Sequence, residues 1–247
     1  MEPDYSLIFH QSSKNHAKGH IPIAKDAHDW PKEWKIVTYK MYPRLPIVAL
    51  PDTDREDSFF QVLRNRKTER NFNPSTSMSP EELSLFLKYS CGTIGVSSDG
   101  KTQRRAQASG GARFPIEVYA WVLHGDDRIR PGLYHYNVLE HSLHILWDKQ
   151  FSDEEVKDLF VYEWTKEANI IFFMTAVFQR NQIKYGERGY RYILIEAGHI
   201  GQNMYLVAEA LGLKCCTLGG TRDEAVEKLL DIDGVTESLI YAAAVGH

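Results

Sequence analysis

The sequence predicts one α+β domain with a central sheet flanked by helices, and three observations carry that expectation. Tyr190 to Leu211 holds Ile193, Ala197, Ile200, Met204, Val207 and Leu211 at helical spacing, the pattern of a long buried helix. Residues 169–178, NIIFFMTAVF, form an unbroken apolar run, as expected of a central strand covered on both faces. Around these two, helix and strand patterns mix without strict βαβ alternation, and no linker divides the 247 residues.

Composition narrows the function classes. A hydrophobic content of 43% with 25% charged residues is that of an ordinary folded protein. A net charge of −4 argues against a general nucleic-acid or acidic-membrane binder. Three cysteines, two of them adjacent at Cys215 and Cys216, cannot form a disulfide framework and suit a reducing cytosol. MEPDYSLIF lacks the basic and apolar regions of a signal peptide, and no apolar stretch reaches the length of a membrane span. The expectation is a cytoplasmic protein.

Residues 1–55 read as a largely irregular arm, with the domain proper over 56–247. His10, His16, His20 and His28 are spaced as no compact metal-ligand set, so a solvated arm is expected. KMYPRLPIVALP, residues 40–51, is a proline-punctuated extended stretch. A helix opens at Ser58 and gives way near Leu63 to RNRKTERNF, the densest positive charge in the chain. If that segment is extended, Arg66, Thr68 and Arg70 point one way, two guanidinium forks around a hydroxyl that would cradle a phosphate. A solvated face would show the same run.

Ser79 as N-cap, Pro80 at N1 and Glu82 at N3 spell a capping box, and Gly92 ends that helix. VSSDGKTQRRAQASGGARFP is then read as a polar, glycine-rich loop, its Ser109-Gly110-Gly111-Ala112 tail offering backbone N–H groups with little bulk. A strand is expected over 116–123 and a hairpin over 132–147 turning at Val138 to His141. Ser152 opens a helix expected to reach about Trp164. Thr221 caps a short helix over Asp223 to Leu230, and residues 239–246 make the last strand. The long helix reads as apolar nearly all round, ended by Gly212, with a polar stripe of Glu196, His199 and Asn203 beside Gln202 that must find partners. Ala197, Gly198 and Gly201 allow a partner helix to approach, so a homodimer centred on this helix is expected.

Several of these motifs together resemble the FMN-dependent nitroreductase superfamily, and within it the SagB-type azoline dehydrogenases. RKTERNF is similar to the family's Arg-Arg-Ser-x-Arg-x-Phe, and ASGGARFPIEVY to its Pro-Ser-x-Gly-Ala-x-x-Pro-x-Glu-Val-Tyr. PGLYHYN, KYGERGYRYILIEAGHIGQNMYLVAEALGL and YAAAVG follow in the family's order, from about Lys40 to Gly246. The resemblance implies a nitroreductase-like fold with an antiparallel or mixed sheet, and a homodimer with FMN at its interface. Arg66, Lys67, Thr68 and Arg70 would hold FMN, its phosphate and pyrimidine edge. Ser109, Gly110 and Gly111 would line it from the partner subunit. Gly219 and Gly220, followed by Arg222, would close over it. Lys184 and Tyr185 match the pair implicated in azoline dehydrogenation. There the lysine would take a ring proton while a hydride leaves for the flavin. Arg188 and Arg191 lie close by in sequence. Ala108 stands in place of the family's proline, Thr68 of its serine and Lys67 of its arginine.

The expected function is thus dehydrogenation of thiazoline or oxazoline rings in a peptide or small molecule, beside a cyclodehydratase. A general NAD(P)H-dependent nitroreductase, a small-molecule oxidase or a flavin-free scaffold of the same fold are the alternatives. No metal, nucleic-acid or membrane partner is expected.

Overall fold

A computed structural model describes residues 3–15, 32, 39–40, 43–46, 48–53, 55–96, 100 and 103–247. His16, His20 and His28, with parts of the 40–51 stretch and of the 97–102 segment, lie outside the described residues. Among those described, the helices are α1 (Tyr5–Ser13), α2 (Ser58–Asn65), α3 (Pro80–Cys91), α4 (Asp153–Lys157), α5 (Gln179–Tyr185), α6 (Arg188–Leu211) and α7 (Asp223–Leu230). The strands are β1 (Thr93–Val96), β2 (Gln103–Arg105), β3 (Ile116–Val122), β4 (Gly132–Asn137), β5 (Ser142–Trp147), β6 (Ile170–Val177), β7 (Lys214–Leu218) and β8 (Glu237–Gly246).

The main sheet runs β5-β4-β3-β6-β8-β7, and its five pairings are all antiparallel. β6 lies inside it, between β3 and β8, with every residue but Val177 buried. Side chains alternate across the pleat, and each face has its own core. On one face Ile116, Val118, Phe172 and Met174 meet Phe86 of α3 and Ile193, Ile200 and Met204 of α6. On the other, Trp121, Ile171 and Phe173 meet Val156 of α4 and Val226 and Leu230 of α7. Phe86 stacks on Phe172 at 4.8 Å, both fully buried, so Phe172→Ala should cost about 3–5 kcal/mol.

Local chemistry sets the helix ends as the sequence implied. Ser79 and Glu82 close the capping box of α3 in both directions, and Gly212, at φ +71°, takes the left-handed position that ends α6. Several expectations need correcting. The arm is not irregular throughout: Tyr5–Ser13 is helical, capped by the Asp4 side chain on Leu7 N–H. Its apolar signal is weak because polar contacts dock it. Glu187 accepts from Ser6 N–H at 2.7 Å, and His10 lies between Tyr190 and Ser238. The polar loop is not wholly irregular: β2 inside it pairs with β1 just before it in an antiparallel ribbon too short to show a strand pattern. The helix after Ser152 stops at Lys157, with a 3₁₀ turn at Glu163–Glu167. Arg222, not Thr221, is the N-cap residue of α7; the Thr221 hydroxyl bonds Asp223 Oδ1 instead. Finally, α6 is not covered all round in the single chain, since Leu194 and Ile195 are exposed.

Candidate functional site

The Lys184–Tyr185 pair ends α5, a helix the sequence pattern did not reveal, and Gly186 at φ +54° turns the chain into α6. Tyr185 packs edge-on against Tyr192 of α6, ring centres 5.0 Å apart. Over this corner lies the Ser109–Ala112 loop. A Cβ on Gly111 would stand 2.3 Å from Tyr185 Oη and 2.9 Å from Lys184 Nζ, and one on Gly110 would stand 3.2 Å from Tyr192 Cβ. The polar ends of both candidate catalytic residues therefore converge on a surface that carries no side chain. Gly111 also has φ +66°, while Ala112 and Phe114 sit in the left-handed region at +52° and +46°. Such residues cost of order 1–3 kcal/mol each and persist where the surroundings over-determine them.

Those surroundings come from the polar stripe of α6. Gln107 Nε2 donates to Glu196 Oε1 at 3.3 Å, His199 Nδ1 donates to the Ala108 carbonyl at 3.1 Å, and Asn203 donates to the Ser90 carbonyl at 3.1 Å. The Ser109 hydroxyl accepts from Phe114 N–H at 2.9 Å. Glu196 and His199 thus fasten the loop at Gln107 and Ala108, while Asn203 holds the end of α3. Burial pushes the Glu196 carboxyl up, against its bonds to Ser109 and Gln107 and the charges of Arg105 and His199. Glu196 Oε2 and Gln107 Oε1 are buried without partners among the described residues.

The basic segment collects elsewhere. Glu69 N–H bonds the Cys215 carbonyl at 3.0 Å, so the segment runs extended beside β7. Thr68 Oγ1 lies 3.2 Å from Tyr205 Oη, which also accepts from Thr217 N–H at 2.9 Å. The Arg66 guanidinium lies 5.2 Å from the Tyr205 ring centre, over its face. Arg70 bonds the Cys216 thiol, whose pKa burial raises and Arg70 opposes. Lys67 turns away to Glu69 Oε1 at 2.7 Å, on the exposed side. Among the described residues neither Arg66 nor Arg70 has a carboxylate partner.

The third set follows β7 directly, two residues past the Thr217 that bonds Tyr205. Gly219 is exposed, and a Cβ on Gly220 would strike Val161 and Tyr162 at 2.4 and 2.7 Å, so that glycine allows close packing. Arg222 Nη1 donates to the carbonyls of Lys157 and Asp158, clamping the end of α4. Tyr192 and Tyr205, which organise the first two sets, are 13 residues apart on α6, about 20 Å along its axis at 1.5 Å per residue. Neither tyrosine stood out in the sequence, where each falls inside an apolar pattern. Among the described residues there is no metal-binding group of three or more His, Cys, Asp or Glu, and no helix is long and apolar enough to cross a membrane.

Fold, glycine-lined corner and basic segment define a class, and residues 63–247 match the sequence profile described as the nitroreductase family. This chain belongs to that family. It is similar to the trifolitoxin-processing protein TfxB of Rhizobium leguminosarum bv. trifolii, 33% identical over 200 residues, 72% of this chain and 53% of TfxB. The chain thus spans about half the length of that relative. A Methanocaldococcus jannaschii protein named as a nitroreductase is 30% identical over 190 residues, 75% of this chain and 89% of that protein. Among solved structures, the fold matches a chain of the Escherichia coli microcin synthetase McbBCD complex with truncated pro-MccB17 bound. The TM-score there is 0.74, at 22% identity over 100% of this chain and 94% of that one. A Desulfovibrio desulfuricans structure described as a nitroreductase in complex with FMN matches at a TM-score of 0.53, 19% identity, 78% of this chain and 87% of that one.

Proposed function

We propose that this protein is an FMN-dependent oxidoreductase that dehydrogenates thiazoline or oxazoline rings in a peptide, working as a homodimer beside a cyclodehydratase. The observation that carries the reading is the convergence of Lys184 Nζ and Tyr185 Oη on Gly111, where an added Cβ would collide with both. Support comes also from the relative named as a trifolitoxin-processing protein and from a fold neighbour in complex with FMN.

The residues present fit an FMN. Among the described residues Arg66 and Arg70 keep their charge unspent on carboxylates, with the Thr68 hydroxyl between them, which suits a phosphate and a carbonyl-rich ring edge. Gly110 and Gly111 present backbone alone, which suits a flat ring. Gly219 stays open enough to close over the group, whereas Arg222 is committed to α4. FMN supplies the hydride acceptor when bound. Aromatisation also releases a proton from the azoline ring, and Lys184 takes it while Tyr185 holds the ring in place. A lysine base needs desolvation; Lys184 is exposed in the single chain, so substrate and partner subunit must cover it.

Anaerobic single-turnover bleaching of the flavin by an azoline peptide tests the reading. Lys184→Ala should keep wild-type flavin content and bleach about 10²–10⁴ slower. Wild-type bleaching by that variant would remove the base. General nitroreduction, favoured by the M. jannaschii relative, would then replace azoline oxidation, since it needs the same cradle and no lysine.

A further inference from the structure

A second cleft, of about 480 Å³, opens on the far side of the Gly110–Phe114 loop, and the proposed function does not use it. Arg113, Phe114 and Arg180 form one wall, and Arg105, Glu117 of β3 and His135 of β4 also line the cleft. The wall is locked: Arg113 Nε donates to the Arg180 carbonyl at 2.9 Å, and Arg180 Nη1 donates to the Phe114 carbonyl at 3.3 Å and to Glu117. Glu117 accepts from His135 Nε2 as well, at 2.8 Å. Burial works against its charge, but these bonds prevail and hold its carboxyl below the ordinary range.

Glu117 thus hydrogen-bonds one of the three guanidinium groups, while its charge also acts on Arg105. Arg105 is half-buried, laid 4.5 Å from the Phe114 ring centre, and its five N–H donors meet no acceptor among the described residues. Donors held in a concave, partly desolvated place without an acceptor point to a ligand that brings one. The cleft also adjoins the reaction centre. Arg180 and Lys184 stand at i and i+4 on α5, one turn apart on the same face, and Arg113 follows Gly111 by two residues.

We propose that this cleft is a subsite for a carboxylate of the peptide substrate, held between Arg105 and Arg113 beside the ring being oxidised. It rests on Lys184–Tyr185 being the reaction centre. A carboxylate fits better than a phosphate. Its two oxygens match one guanidinium fork, and its single charge is repelled less by the ionised Glu117. Val138 and Leu139 give the cleft an apolar rim for a neighbouring side chain.

The test is fluorescence anisotropy on the flavin-loaded full chain. The probes are dye-labelled hexapeptides with one oxazole, a stable product ring, followed two residues on by Glu or Gln, each as C-terminal acid or amide. The Glu peptide or the free acid should bind roughly tenfold tighter than the neutral peptide, and the comparison shows which carboxylate is read. The advantage should shrink with added salt and fall below twofold in Arg105→Gln and in Arg113→Gln. Arg113 lies on an exposed turn, which keeps the test valid if the half-buried Arg105 proves needed for folding. Equal binding of acidic and neutral peptides would overturn the proposal, as would displacement by inorganic phosphate at lower concentration than by acetate. Lys184→Ala should keep the carboxylate advantage while losing flavin bleaching, so failure of this subsite and failure of the azoline reading give different results.

Discussion

Acid should release α1 before it unfolds the rest of the chain. His10 is buried on α1, its Nδ1 3.1 Å from Tyr190 Oη of α6 and its Nε2 2.7 Å from Ser238 Oγ of β8. The Ser238 hydroxyl in turn donates to Glu227 of α7, so the neutral imidazole with its proton on Nε2 satisfies the chain of bonds. A proton on Nδ1 would face the tyrosine oxygen in an apolar setting. Burial first, and the charge of Lys14 next, lower the His10 pKa from 6.5 to about 4, against the pull of Glu227. Undocked, His10 takes a proton near its ordinary value; docked, it resists until about pH 4. Docking is therefore fully stabilised above about pH 6.5 and weakens as pH falls towards 4. At pH 5 the difference amounts to about 2 kcal/mol, a factor of roughly 30 in the open population. Hydrogen exchange of residues 5–13, corrected for the intrinsic pH dependence, reads that population directly. A fall in protection of less than threefold between pH 7.5 and 5 would refute the argument. So would an equal fall in His10→Gln, which cannot titrate.

Two further outcomes follow from the packing. Glu227→Ala should cost about 3–5 kcal/mol in urea unfolding, because it strands Lys14, whose side chain is only 3% exposed and lies 2.8 Å from that carboxylate. The paired replacement Lys14→Met with Glu227→Leu should recover most of the loss, and no recovery would mean the pair is not the cause. Gly111→Ala should keep the fold with a loss of about 1–2 kcal/mol, yet slow flavin bleaching at least tenfold by pushing Tyr185 aside. Bleaching at the wild-type rate would show that the placement of Tyr185 does not matter.

The parts legible in the sequence are those whose signal is local or periodic. The spacing of Ile193, Ala197, Ile200 and Met204 gave α6 because one face of that helix is core. The run at 169–178 gave β6 because both its faces are core. What the pattern missed is held by long-range polar contacts that leave no period. α1 docks through Ser6, His10 and Lys14 on residues more than 170 positions away. α5 is seven residues long, and its importance lies in where Gly186 turns the chain. The expectation that α6 is covered nearly all round does not hold in the single chain, because a helical period reports composition and not which positions a neighbour covers, and Leu194 and Ile195 stand exposed.

The separation along α6 has a consequence that can be measured. Arg66 and Thr68 gather at Tyr205, while Lys184, Tyr185 and Gly111 gather near Tyr192, about 20 Å away along the helix axis. A shared site would take the two sets from different chains, paired across a two-fold axis that lays the exposed face of one α6 against its partner. Each dimer then has two sites, each with Arg66 from one chain and Lys184 from the other. Arg66→Ala and Lys184→Ala homodimers should both be inactive. Mixed dimers should contain one site with both replacements and one with neither. Random reassortment makes about half the dimers mixed, so activity should return to about a quarter of wild type after co-refolding or co-expression. A single-chain site predicts no recovery, because every site would then carry one of the two replacements. Mixing that restores nothing, with subunit exchange shown by two affinity tags, would refute the shared site and return both clusters to a single chain.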